Sequence, residues 1–203
     1  MTRTRRDLLV TTRRAIAAAG VGAAAAGAGC LDFTAGDGPQ GPSGTPPELT
    51  CPDAEFARLA VPFEESVEHR TVATAATTVE LSTEGTSETY GSTLRLALRN
   101  SGDAPATALG EHAYAIQRET ETGWQEVRGS PTGDPVEIPR AEESLSPNDG
   151  YAWTLRLREA ELAEAVPDVD LDVCPPLGAG THRFVYWGIE NAPPVGIEFE
   201  LVG

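Results

Sequence analysis

From about residue 76 to the C-terminus, apolar residues recur at every second position. Leu94, Leu96 and Leu98 interleave with Arg95, Ala97 and Arg99, and Tyr114 and Ile116 with Ala115 and Gln117. Tyr151, Trp153, Leu155 and Leu157 interleave with Ala152, Thr154, Arg156 and Arg158. Phe184 and Tyr186 alternate with Val185 and Trp187, and Ile197, Phe199 and Leu201 with Glu198 and Glu200. A period of two sends alternate side chains to opposite faces of a strand, so each segment has one face to bury. Further strands are expected at Ala76–Leu81 and Trp124–Val127. Turn clusters punctuate the series at Asn100-Ser101-Gly102-Asp103, Glu121-Thr122-Gly123, Pro147-Asn148-Asp149-Gly150 and Gly178-Ala179-Gly180. The one fair helix signal is Glu159–Val166, with a short turn expected at Asp53–Leu59. Seven or so short strands joined by turns predict an all-β fold, a two-sheet antiparallel sandwich. Residues 51–203, roughly 150 in number, suffice for one core and form one domain.

The first thirty residues follow a different logic. Arg3, Arg5, Arg6, Arg13 and Arg14 precede an Ala/Gly-rich run, Ala15–Gly29, which ends at Gly27-Ala28-Gly29-Cys30. A positive start, an apolar middle and small residues before a cut are the parts of a secretory signal. The middle is too weakly apolar for a membrane-spanning helix, which needs about 20 strongly apolar residues. Thr4-Arg5-Arg6-Asp7-Leu8-Leu9 resembles a twin-arginine (Tat) export signal, with Arg5 and Arg6 as the pair. The small residues before Cys30 resemble a lipobox, which implies a lipid on Cys30 and the membrane as a partner. Residues 1–29 are therefore expected to be the signal peptide. The Gly/Pro/Ser/Thr-rich segment 30–50 is expected to be a flexible tether. The working site is the cell surface, on the outer face of the cytoplasmic membrane.

Charge narrows the setting. All fifteen basic residues are Arg, against thirty-one acids. Five of those Arg and one acid lie before Cys30, leaving ten Arg against thirty acids, a formal charge of −20. A chain so charged is tolerable where salt shortens the Debye length to about 3 Å. Acid excess without Lys resembles the proteins of extreme halophiles, notably haloarchaea. A polyanion is disfavoured by such a surface, so nucleic acid is excluded as a partner. With Cys30 assigned to lipid, Cys51 and Cys174 remain as an even pair in a compartment that permits disulfides, and a Cys51–Cys174 bond is expected.

The order of strands and turns resembles a bacterial and archaeal immunoglobulin-like domain found in small lipoproteins and surface proteins. The resemblance rests on Leu94–Asn100 with Gly102, then Gly110 with Tyr114–Arg118, Gly123-Trp124, Leu145-Ser146-Pro147 before the Tyr151 strand, and Gly180-Thr181-His182-Arg183-Phe184. It covers about residues 77–190. His182 stands where the family usually has Tyr in its late strand. The resemblance implies an immunoglobulin-like antiparallel β-sandwich and carries no catalytic residues.

Candidate sites are few. No Gly-x-Ser-x-Gly elbow, phosphate-cradling loop or spaced His ligands occur, so no catalytic residue, metal ligand or cofactor is assigned. His112 beside Glu111 reads as a surface pair. Asp168, Asp170 and Asp172 alternate with Val169 and Leu171 as a charged edge strand would. The aromatic residues Trp124, Trp153, Tyr114, Tyr151 and Tyr186 read as core, whereas Trp187 lies opposite in phase to Phe184 and Tyr186 and is the candidate contact residue. The leading expectation is a non-catalytic binding or structural module facing an envelope protein or ligand. Two others are a protease inhibitor presenting the Gly129–Ser144 loop, and an envelope metal- or substrate-delivery lipoprotein using His112 or His182.

Overall fold

The period-two segments are strands, and their register sorts them into two facing layers. The computed structural model describes residues 38–203 apart from Ala54 and Glu65. In chain order the strands are β1 (Ala57–Arg58), β2 (Glu68–His69), β3 (Thr71–Ala73), β4 (Thr78–Thr83), β5 (Ser87–Thr89), β6 (Thr93–Asn100), β7 (Ala106–Ala108) and β8 (Tyr114–Thr120). They continue as β9 (Gly123–Glu126), β10 (Arg128–Ser130), β11 (Glu143–Leu145) and β12 (Gly150–Arg156). After the helix α1 (Glu159–Ala163) come β13 (Asp172–Val173), β14 (Gly180–Tyr186) and β15 (Val195–Val202). One layer has the order β12-β6-β4-β3, and the other β2-β15-β14-β8-β9. Along the chain β4 and β6 enter the first sheet, β8 and β9 the second, β12 the first, and β14 and β15 the second. This is the immunoglobulin-like interleaving of A, B and E against C, F and G. Among the described residues no helix is long and apolar enough to cross a membrane.

The core is the set of inward positions. Leu81, Leu94, Leu96, Leu98 and Leu155 from one sheet join Ile116, Phe184, Ile197 and Phe199 from the other in one buried cluster. Trp153 bridges the layers, its ring 4.9 Å from Phe184 and 5.6 Å from Tyr186. Its indole N–H donates to Glu111 O at 2.9 Å, which satisfies the polar end of a buried ring. Two buried polar groups close the sheet ends. Asn100 donates to Ala104 O (2.8 Å) and Leu145 O (2.9 Å) while accepting from Gly102 N (3.2 Å), so its side chain holds the turn that follows β6. Tyr186 Oη donates to Gly110 O at 3.0 Å, a corner contact made from the end of β14 and not from position 182.

Strand β8 departs from simple alternation: Ala115 and Gln117 are buried as well as Tyr114 and Ile116. A buried ion pair packs against its start, at Tyr114 and Ile116. Arg128 donates to the Glu126 carboxylate at 2.9 Å and to Tyr114 O at 2.9 Å, and its guanidinium lies 4.7 Å from the Tyr114 ring centre. Glu126 also accepts from Ile116 N at 2.9 Å. Burial opposes the Arg128 charge, but the adjoining carboxylate outweighs it and holds the pKa above the usual arginine value.

Three expectations change. The helix is Glu159–Ala163 and stops short of Val166, which precedes Pro167 and is thereby biased away from the helical region. The expected turn at Asp53–Leu59 is confined to its start, where Phe56 N donates to Asp53 O at 3.4 Å, and Ala57 and Arg58 then pair with Ser130 and Gly129. Of the Asp168–Val173 segment only Asp172–Val173 is strand, and Asp168 has φ 59°.

The largest difference lies in the expected tether. From Gly41 to Leu49 it is strapped to the domain. Gly41 N donates to Leu177 O and Gly44 N to Ala179 O, each at 2.9 Å. Arg118, buried on β8, donates to Pro42 O (3.3 Å), Ala179 O (2.6 Å), Gly178 O and Gly44 O. Arg58 donates to Leu49 O (2.8 Å), Cys174 O (3.1 Å) and Glu126 O. Glycine is required where the two segments touch: a Cβ on Gly41 would overlap Pro176 O, and one on Gly178 would overlap Pro42 O. The domain therefore begins before residue 51.

Cys51 and Cys174 are bonded, with Cα atoms 5.4 Å apart and 123 positions between them in sequence. The bond closes a long loop between the strap and the segment before β14. Replacing both cysteines by Ala should lower unfolding free energy by roughly 3–5 kcal/mol. Urea melts of oxidised wild type and of the double variant check it, and coincident melts would contradict it.

Candidate functional site

Two features singled out separately in the sequence meet at one place. Trp187 follows β14, held there by its backbone N–H donating to Ala113 O at 2.9 Å. Its indole is half-buried and packs against both the main core and a smaller cluster of Leu59, Ile138, Val166 and Leu171. Ile138 belongs to the Gly129–Ser144 segment. That segment is tied down at intervals: Arg128–Ser130 form β10, Ile138 is buried, Ala141 N donates to Leu109 O at 3.2 Å, and β11 begins at Glu143. Between them lies an open cleft of about 290 Å³, walled by Val61, Pro62, Pro135, Val136, Arg140 and Trp187. The lining is mostly apolar. The Arg140 guanidinium lies 5.0 Å from the Trp187 ring centre, a cation–π stack that orients the charge at the rim. A mostly apolar slot whose lining carries a stacked cation, Arg140, and a carboxylate, Glu137, is equipped to bind by shape and a few polar anchors.

The sequence pointed to Trp187 through its phase relative to Phe184 and Tyr186. It gave no pointer to Arg140, because the loop carrying it has no period, and the prolines at 131, 135 and 139 say only that it is not a strand or helix. What brings Arg140 to Trp187 is the burial of Ile138, a tertiary effect.

The other candidates are dispersed. His182 is buried on β14, between Arg118 and the Phe199 ring, whose centre is 5.6 Å away. Burial, and then the Arg118 charge, push its pKa down to about 4. His112 is paired with Glu111 at 3.6 Å on the surface, and His69 accepts from Arg70 at 3.2 Å. Asp172 accepts from the Val173 N–H at 2.7 Å. Among the described residues no group of three His, Cys, Asp or Glu is placed to hold a metal ion. Trp124 is half-buried beneath Arg183, 4.3 Å from its ring centre, and Arg183 is pushed down to about 10 by burial. Arg5, Arg6 and Cys30 lie outside the described residues.

No protein-family model matches the chain, and no curated protein does. Among solved structures, 62% of the chain is similar to part of a β-glucosidase from Listeria innocua. Its complex with glucose has 14% identity, 16% of that chain covered and a TM-score of 0.30. Its complex with gluconolactone has 14% identity, the same coverage and a TM-score of 0.31. The matched part thus spans 16% of the length of those chains. Likeness at this TM-score carries no argument about activity.

The His182 shift has a consequence for stability. Its folded pKa lies below the unfolded value near 6.5, so the fold favours the neutral ring. That contribution is complete above pH 6.5 and is lost as pH falls from 6.5 towards about 4. The loss should be on the order of 3 kcal/mol. Denaturation midpoints of wild type against His182→Gln across that range check it: wild type should fall more steeply, and parallel curves would contradict the assignment.

Proposed function

We propose that this chain is an exported lipoprotein, held at the outer face of the cytoplasmic membrane through Cys30. Its sandwich is a non-catalytic binding module whose contact site is the Trp187–Arg140 cleft. The observation that carries this reading is the convergence of Trp187 and the Pro135–Arg140 segment on one open, apolar-walled cleft with a stacked cation at its rim. The interior position of His182, between Arg118 and the Phe199 ring, keeps its imidazole away from a ligand at the surface. The acid excess suits a compartment at molar salt, where a hydrophobic contact is strengthened and a long-range electrostatic one is screened. The strap shortens the tether: about ten residues, not twenty, would separate Cys30 from the first backbone bond at Gly41, a reach of at most about 36 Å.

Two variants test the two halves separately. Cys30→Ser should move the protein from the membrane to the soluble fraction; retention in membranes would remove the anchor. The double variant Trp187→Ala, Arg140→Ala should keep its circular dichroism yet lose the stoichiometric partner recovered from the envelope at molar salt. Undiminished recovery would place the contact elsewhere.

A further inference from the structure

Strand β12 is the longest sheet edge left unpaired among the described residues. Its seven residues pair with β6 alone, whereas the edge strands β3 and β9 have three and four. The phase of its free groups follows from two bonds of the β6 ladder: Leu157 N to Ser92 O at 3.0 Å and Asn100 N to Asp149 O at 2.8 Å. Tyr151, Trp153 and Leu155 share that phase and bond to β6, so Ala152 and Thr154 turn their N–H and C=O groups to the open side. An open row of this kind is a template for another strand, which proteins commonly blunt with Pro, a bulge or a short edge. The run 150–156 has no Pro, and its register with β6 is unbroken.

The outward face beside this edge is richer in arginine than the rest of the surface. Of the four exposed arginines among the described residues, Arg95, Arg99 and Arg156 lie on it. Arg95 is paired with Glu84 at 3.6 Å and Arg99 stands opposite Glu80, so Arg156, on the edge strand itself, is the one of the three with no acid paired to it or opposite it among the described residues. Ala97 sits directly opposite Ala152 and Ser82, and Thr154 opposite Arg95. These small side chains floor a trough of about 380 Å³. The outward positions of β15 carry Glu198 and Glu200, as an acidic chain leads one to expect. On this face three arginines meet two acids, Glu80 and Glu84, and the uncompensated cation, Arg156, stands on the unpaired edge.

We propose that the free edge of β12 accepts, as an added strand, an extended polypeptide segment that alternates acidic with apolar residues. Main-chain bonds to Ala152 and Thr154 would supply the pairing. A residue opposite Arg156 would have its Cβ about 5 Å away, placing a carboxylate within reach of the guanidinium. The apolar half of the partner would turn to the core side, where Tyr151 is half-buried and Trp153 and Leu155 lie beneath. A polyuronate fits less well: no aromatic side chain is presented outward on this face to stack on a sugar ring, and a polysaccharide has no backbone amides to complete the edge. The proposal is independent of the Trp187 cleft and of the lipid.

The test uses the full chain and a nine-residue peptide alternating Glu with Val. Amide exchange is read at Ala152 and Thr154, and affinity by titration. Peptide binding should slow exchange at these two amides. N-methylation of the peptide amides that face β12 should abolish binding, and Arg156→Glu should weaken it about tenfold. Unchanged exchange at Ala152 and Thr154, equal binding of the N-methylated peptide, or binding of polygalacturonate in place of the peptide would each overturn it.

Discussion

Buried guanidinium groups gather backbone carbonyls that the sheets leave unused, and much of this fold is organised round them. Arg118 alone serves carbonyls of Pro42, Gly44, Gly178 and Ala179. Arg58 serves Leu49, Glu126 and Cys174. Carbonyls removed from water need donors, and a planar cation with five N–H groups can satisfy several at once. Burial of Arg118 costs solvation, which pushes its pKa down, with Glu200 and Glu119 acting in the opposite sense. A flexible ammonium would offer three donors from a point and could not span the same carbonyls. The all-Arg composition thus has a structural use in this fold.

These hubs lie where the polypeptide crosses itself without sheet pairing. The strap 41–49 and the segment 174–179 run side by side, tied by two backbone bonds, by Arg118 and by the Cys51–Cys174 bond. The Glu126–Arg128 pair does related work one layer in, anchoring the bend between β9 and β10 to β8. Both faces of β8 are dry. The Trp187 cleft stands beside this dry region, and its open side is framed by loop residues that Ile138 and Leu59 pin down.

Strand positions were legible because alternation is local: Leu94–Leu98, Tyr151–Leu157 and Ile197–Leu201 each declare a buried face within a few residues. The turn at Asn100-Ser101-Gly102 was legible too, since Asn and Gly are the residues such a corner needs. The strap was not, because Gly41, Pro42 and Gly44 read as a flexible linker until a neighbouring segment and Arg118 are present to bond them. Burial on both faces of β8 was hidden for a similar reason: Gln117 carries a polar signal, and only its bond to Arg183 at 2.7 Å allows it inside. At the candidate site, Trp187 showed itself by its phase relative to Phe184 and Tyr186, and Arg140 by nothing at all. What was lost in each case is a contact between residues distant in sequence, which no local pattern encodes.

The central claim is that Arg118 converts a linker-like sequence into part of the fold, and amide hydrogen exchange reads it directly. In the wild type the amides of Gly41 and Gly44, both bonded to the 177–179 segment, should exchange slowly. In Arg118→Lys they should exchange at close to the rate of an unstructured chain, while β14 amides such as Phe184 and Val185 keep their protection. Fast exchange at Gly41 and Gly44 already in the wild type would contradict the account.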